Sequence, residues 1–135
     1  MQREWQVGPH RARFEEPDVL IVQLTGPTDL EHAHGLVEVY REVGTRQPMF
    51  AVLHVKDSPV NAAARKYFTQ QIRSEWYQAI IFVGAGVVER AMGKALTVAL
   101  LFAGKWTAEF LYADTEAQAR ELIAKVRAKK AHKQG

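Results

Sequence analysis

The sequence predicts an α/β domain with a mostly parallel sheet, and three observations support this fold class. Residues 50–55 and 79–83 are almost wholly apolar, which is typical of strands buried on both faces of a parallel sheet. Stretches with helical spacing of apolar residues separate the strand-like segments. A short turn joins two early strands into an antiparallel pair. We therefore expect a five-stranded sheet with one antiparallel edge strand, and four helices.

The first strands are predicted from the period of their apolar residues. Residues 10–15 alternate between apolar and charged side chains, as in a strand with one buried face. A turn signal at residues 16–18 leads into a nearly continuous apolar strand over residues 19–24. Residues 5–8 are expected to be an entry segment that packs Trp5 on the edge of the sheet.

Capping signals indicate where the helices begin. Thr28 and Glu31 form a capping box for the first helix, which we expect to end near Gly44. The second helix has apolar residues four apart over residues 60–76. We expect this second helix to begin at Asp57 or Ser58 and the third near Val87. A last strand is predicted over residues 107–112. The fourth helix is expected to begin at Asp114-Thr115, with Gln118 in the capping-box position.

Length and composition favour a single domain over residues 1–135, since domains of this size are common. The absence of cysteine excludes disulfides, thiolate metal ligands and a cysteine nucleophile, and it fits a reducing compartment. The amino terminus has no apolar signal core. The longest uncharged apolar run, residues 95–104, is about half of what spans a bilayer. We therefore expect a cytoplasmic protein without a membrane span.

The net charge of +3 is concentrated in the last residues. Residues 125–135 contain five cations and no acid, so the rest of the chain has a net charge of −2. A basic tail of this kind can contact nucleic acid or an anionic membrane, or it can be the solvated end of a last helix. The rest of the chain shows no basic stripe, and no nucleic-acid partner is expected.

Several short motifs follow one another along nearly the whole chain. They are Trp5-x-Val7-Gly8, Leu24-Thr25-Gly26, the strand and elbow over residues 51–57, Ala64-Arg65, Ile81-Phe82-Val83-Gly84 and the closing helix from Thr115. In this order the chain resembles the SpoIIAA-like family, within the STAS group of anti-sigma-factor antagonists. The resemblance implies βα units wound as a right-handed superhelix. It also implies a non-catalytic, regulatory role in bacterial signalling, with a kinase or an anti-sigma-like regulator as partner.

The same resemblance implies a partner-binding surface at the start of the second helix. We expect this surface to contain Asp57, Ser58, Asn61, Arg65 and Lys66. In antagonists of this type a serine at this place is phosphorylated, and Ser58 is the candidate. A phosphate there would meet free N–H groups at a helix amino end, although the proline that follows removes one such donor. Ser58 as a simple helix cap remains the alternative.

The helix predicted over residues 87–104 is apolar nearly all round after residue 95. A helix of this kind must be covered on two sides, by the rest of the fold, by a second subunit or by a lipid-like ligand. The resembled fold is related to the lipid-carrying CRAL-TRIO fold, so a ligand cleft is one alternative and a homodimer is another. The candidate contacts are Met92, Leu96, Leu100 and Phe102.

Catalytic and metal signatures are weak. His32 and His34 are two residues apart on a predicted helix and so do not face one another. Gly84-x-Gly86 starts a dinucleotide fingerprint, but Glu89 occupies its third glycine position. No serine or acid stands at a recognised catalytic spacing from a histidine. We therefore expect no enzyme activity, no catalytic residue, no metal and no cofactor, and an uncharacterised enzyme is the third-ranked function.

Overall fold

A mixed sheet is the centre of the computed structural model, which describes residues 3–102, 104 and 106–134. In these residues six strands lie side by side in the order of the chain. The second strand runs antiparallel to both the first and the third, and the third to the sixth are parallel. The strands are β1 (Glu4–Val7), β2 (His10–Glu15), β3 (Val19–Gln23), β4 (Met49–His54), β5 (Tyr77–Val83) and β6 (Glu109–Ala113).

The predicted entry segment is a strand, so the prediction of five strands was wrong. Trp5 pairs with Ala12, and Val7 pairs with His10, in the hairpin of β1 and β2. Four residues are too few for their alternation to predict a strand without the partner. The prediction that β4 is central is confirmed, since Val52 lies between Ile21 of β3 and Ile81 of β5.

Four α-helices lie within the described part of the chain. They are α1 (Leu30–Gly44), α2 (Ala62–Gln71), α3 (Val87–Phe102) and α4 (Glu116–Gln134). The α/β class, the order of strands and helices after β1 and the mixed sheet agree with prediction. No helix in the described residues is both long enough and apolar enough to cross a membrane.

The sheet separates two apolar cores, because alternate residues of each strand point to opposite faces. On one face, Leu20 and Ala51 belong to a cluster that includes Leu36 of α1. On the other face, Phe50 and Val52 pack with residues of α4, which are Ala119, Ile123 and Val126. The helices α1 and α2 therefore cover one face and α4 covers the other.

Two of the predicted helix starts were wrong. Asp29, not Thr28, caps α1 and accepts a hydrogen bond from the His32 N–H at 2.9 Å. Asn61, not Asp57 or Ser58, caps α2 through the Ala64 N–H at 2.8 Å. The reason is a long-range contact. Residue 28 forms a parallel bridge with Val60, which holds the chain extended until Asn61.

The predicted start of α4 is confirmed. Gln118 donates its N–H to the Thr115 hydroxyl at 3.2 Å, and its side-chain oxygen accepts the Asp114 N–H at 2.8 Å. The helix continues through residue 134, so most of the basic tail is helical. Arg127 pairs with Asp18, which ties the start of this tail to the turn before β3.

Candidate functional site

A partly open cavity lies between the sheet and the helices α1, α2 and α3. Its floor is formed by residues of two central strands, Ala51 and Leu53 of β4 and Ile80 and Phe82 of β5. These residues point to the same face because each pair is two apart along its strand. At position 51 the side chain is only a methyl group, which leaves room above the centre of the sheet.

The walls of the cavity are apolar side chains of the three helices. They are Leu36 and Tyr40 of α1, Phe68 of α2 with Ile72 just after it, and Met92 and Leu96 of α3. Gly93 sets the position of α3. A Cβ at this residue would lie 2.5 Å from the Tyr112 hydroxyl, so glycine allows the helix to approach β6. Arg90 also lies over the Tyr112 ring, 5.0 Å from its centroid.

The volume of this cavity is about 120 Å³. An engineered apolar cavity of about 150 Å³ stays dry and takes up benzene. A space of this size and lining is therefore suited to a small hydrophobic molecule or to one part of a larger one.

The lining of the cavity reaches the protein surface at Arg65, which is exposed, and we define this more polar end as the mouth. Thr28, Ser58, Arg65 and Glu89 belong to the lining. Both hydroxyl groups already have partners, since Ser58 donates to the Gly26 carbonyl at 2.6 Å and Thr28 lies 3.1 Å from a ring nitrogen of His10. Arg65 and Glu89 form no ion pair with another described residue. Two charges of opposite sign are therefore available at the entrance.

Two tyrosines line the cavity far from this entrance. Tyr40 is 5% exposed and Tyr77 is 6% exposed, and their ring centroids are 6.2 Å apart. Burial raises the pKa of Tyr40 well above its usual range. Burial, and then the charge of Tyr40, raise the pKa of Tyr77. Both phenols therefore remain neutral hydrogen-bond donors in any ordinary buffer.

Comparison with known proteins identifies no family for this chain. No family model matches the chain, and no curated protein shows significant similarity to it.

The predicted partner-binding residues are only partly on the surface. Asp57, Asn61, Arg65 and Lys66 are exposed, and Asp57 has a left-handed backbone with φ of 55°. Ser58 is 3% exposed, and its hydroxyl is turned inward to the Gly26 carbonyl. In this conformation Ser58 contributes no hydroxyl to the surface that the other four residues form.

The predicted contacts on α3 fall into two groups. Met92 and Leu96 are half-buried and line the cavity, and Leu100 is buried. Phe102 is 89% exposed and lies outside the cavity. The outer face of α3, which we define as Val87, Val88, Val98, Leu101 and Phe102, is exposed to solvent.

A cluster of charged residues on the opposite face of the sheet was not predicted. His54 lies 3.1 Å from Glu116, and Arg120 donates to both Glu15 and Glu116. Hydrogen bonds from Arg120 lower the pKa of Glu15. Burial opposes ionisation of Glu116, but hydrogen bonds from His54 and Arg120 outweigh it and lower its pKa. The residues are up to 105 positions apart, so no sequence pattern connects them.

This charged cluster borders a polar groove, but its charges are largely paired with one another. The described residues contain no group of three or more histidine, aspartate or glutamate side chains that could hold a metal ion. The apolar cavity is therefore the stronger candidate for a site, because its lining leaves space that no side chain of the protein fills.

Proposed function

We propose that this protein binds a small hydrophobic, lipid-like molecule between its sheet and α1, α2 and α3. The observation that supports this function is the apolar cavity of about 120 Å³ at the centre of that face. Well-packed interiors contain few voids larger than a water molecule. A void of this size leaves its lining without partner atoms, and an apolar ligand would supply them.

The proposal is tested by filling the cavity from the protein side. Ala51→Leu places a larger side chain in the floor of the cavity. Ala63→Leu makes the same change on the exposed surface of α2 and serves as the matched control. Leu96→Phe fills the cavity from α3 and provides a second variant if Ala51→Leu does not fold.

The probes are benzene, α-methylstyrene, acetophenone and medium-chain fatty acids. Binding is followed by tryptophan fluorescence, because Trp76 and Trp106 both lie within 6.4 Å of the Tyr77 ring. We expect at least one probe to bind the wild type and Ala63→Leu equally, and to bind the filled variants at least ten times more weakly. Failure of every probe to bind the wild type, or equal binding to the filled variants, would contradict the proposal.

A second candidate is the regulatory role that the resemblance to SpoIIAA-like antagonists implies. It is supported by the exposed group of Asp57, Asn61, Arg65 and Lys66 beside the cavity mouth. A kinase or anti-sigma-like partner that docks there would lose affinity on reversal of both cations, Arg65→Glu with Lys66→Glu. Cross-linking in the native cell should then give a specific partner for the wild type and for the control Arg46→Glu, but not for the double variant.

Phosphorylation of Ser58 belongs to this second candidate. Because the hydroxyl is buried and bonded to Gly26, a kinase would first have to open the elbow at residues 55–60. Mass spectrometry of protein from its native cell tests the modification. A Ser58 that is unmodified under all growth conditions would remove this part of the proposal.

A homodimer is compatible with either role. The outer face of α3 would be the contact, because it is the largest group of exposed apolar side chains on any described helix. Sedimentation equilibrium of the wild type and of Leu101→Glu would test this assembly. If both proteins have the mass of a monomer in solution, a dimer through α3 is excluded.

A further inference from the structure

The two tyrosines of the cavity are buried residues whose hydroxyl groups have no hydrogen-bond partner among the described residues. Tyr40 lies on α1 and Tyr77 opens β5, and both are more than nine-tenths buried. Neither hydroxyl forms a hydrogen bond with any other residue in the described part of the chain. Both hydroxyl oxygens keep some accessible surface, so each is free to donate a hydrogen bond to a molecule that occupies the cavity.

The contacts of the pair that the structure shows are with aromatic and aliphatic groups of the described residues. The Tyr77 ring lies 6.4 Å from that of Trp76 and 5.9 Å from that of Trp106. Ile72 and Leu36 complete this end of the lining. Both residues line the cavity, so a molecule that occupies it can supply the acceptor.

The cation of the lining, Arg65, is at the other end of α2. Arg65 is in the first turn of α2 and Ile72 follows its last residue, so the two are about 10 Å apart along the helix axis. A carboxylate beside the tyrosines would be desolvated without a cation to pair with it. A neutral oxygen, as in a ketone, ester or ether, needs no such partner.

We propose that Tyr40 and Tyr77 recognise a neutral hydrogen-bond acceptor on the ligand, which makes the ligand class a hydrophobic ketone, ester or ether. This inference rests on the proposed binding function and narrows it. The apolar walls supply affinity that does not discriminate between hydrophobic molecules, whereas the phenol donors select those with an oxygen at the buried end.

The test uses two probes of nearly the same shape, acetophenone and α-methylstyrene, which differ only in a carbonyl oxygen against a methylene group. Each is titrated against the wild type, Tyr40→Phe, Tyr77→Phe and the double variant. Tyr67→Phe is the control, since the Tyr67 ring packs at a tilt against that of His34 and lies outside the cavity lining. Phenylalanine keeps the ring and removes only an unpaired hydroxyl, so the variants should fold.

We expect each cavity substitution to weaken acetophenone binding by about 2- to 10-fold, the range of one hydrogen bond. Binding of α-methylstyrene should stay the same or tighten. Acetophenone with a ¹³C-labelled carbonyl gives a direct readout, because its stretching frequency should be lower in the wild type and Tyr67→Phe than in the double variant.

The outcomes separate this inference from the function on which it rests. If both probes bind the wild type and the tyrosine variants alike, the cavity binds ligands but the acceptor selectivity is wrong. The same holds if both probes weaken equally, because the hydroxyls would then have a structural role only. If acetophenone, α-methylstyrene, benzene and the fatty acids all fail to bind the wild type, the binding function and this inference are both overturned.

Discussion

His10 is a fully buried histidine whose hydrogen bonds determine its protonation state. Its Nδ1 accepts the Thr25 N–H at 2.9 Å, so the proton of the neutral ring is on Nε2, which donates to the Thr28 hydroxyl at 3.1 Å. Burial, and then the nearby His32, lower the pKa of His10 below its ordinary value of 6.5. The neutral ring of His10, the first residue of β2, thus links this strand to the segment before α1.

The lowered pKa of His10 predicts that the protein loses stability in mild acid. The folded state holds the proton more weakly than the unfolded state, so the free energy of unfolding falls as the pH drops below 6.5 toward the lower folded pKa. His10→Asn, whose amide oxygen can accept the Thr25 N–H, should reduce the slope of the melting temperature between pH 7 and pH 5.

The control for His10 is His34→Gln, since His34 is exposed on α1. This variant should keep the slope of the wild type. Equal slopes in the wild type and His10→Asn would show that His10 is not the group responsible.

At the scale of elements, α2 shows how a tertiary contact selects a helix boundary. The segment before α2 contains three residues that favour the N-cap position, Asp57, Ser58 and Asn61, and local propensity does not choose among them. The Thr28 N–H donates to the Pro59 carbonyl at 2.8 Å, and the Asn61 N–H donates to the Thr28 carbonyl at 3.1 Å. These bonds keep residues 59–61 extended, so Asn61 becomes the cap.

Removing this cap should destabilise the protein measurably. Asn61→Ala deletes the acceptor for the Ala64 N–H and should cost about 1 kcal/mol in the free energy of unfolding. Asn61→Asp keeps an acceptor and adds a charge that is favourable at a helix amino end, so it should retain or exceed wild-type stability. Urea denaturation measures both, and an unchanged midpoint for Asn61→Ala would contradict the assignment of the cap.

For the molecule as a whole, α3 is the element whose stability should depend on what fills the cavity. Its inner face lines that cavity, and its outer face is exposed. By contrast, β4 lies between β3 and β5 and is covered by helices on both faces. Segments with few buried contacts open with less free energy than a core strand.

Hydrogen exchange should reveal this difference. We expect the amides of α3 to exchange faster than those of β4 and β5 in the free protein, and to slow when a probe fills the cavity. Exchange in β4 serves as the internal reference, because global unfolding limits it. Equal protection of α3 with and without a bound probe would show that this helix does not respond to the cavity.

Local sequence patterns determined much of this fold. The apolar runs of β4 and β5, the alternation in β2 and the Thr115 and Gln118 cap depend on residues a few positions apart, and periodicity records such relations. Of the site, the sequence indicated Met92 and Leu96, because α3 is more apolar than one buried stripe requires.

Only the tertiary structure decided the rest. The strand β1, the cap of α2 and the pairing of His54 with Glu116 depend on partners distant in the chain, so no local pattern indicates them. The cavity is decided at the same level, since it depends on how far α3 lies from the sheet. No sequence pattern singled out Tyr40 or Tyr77, and their proposed role follows from the space that they share.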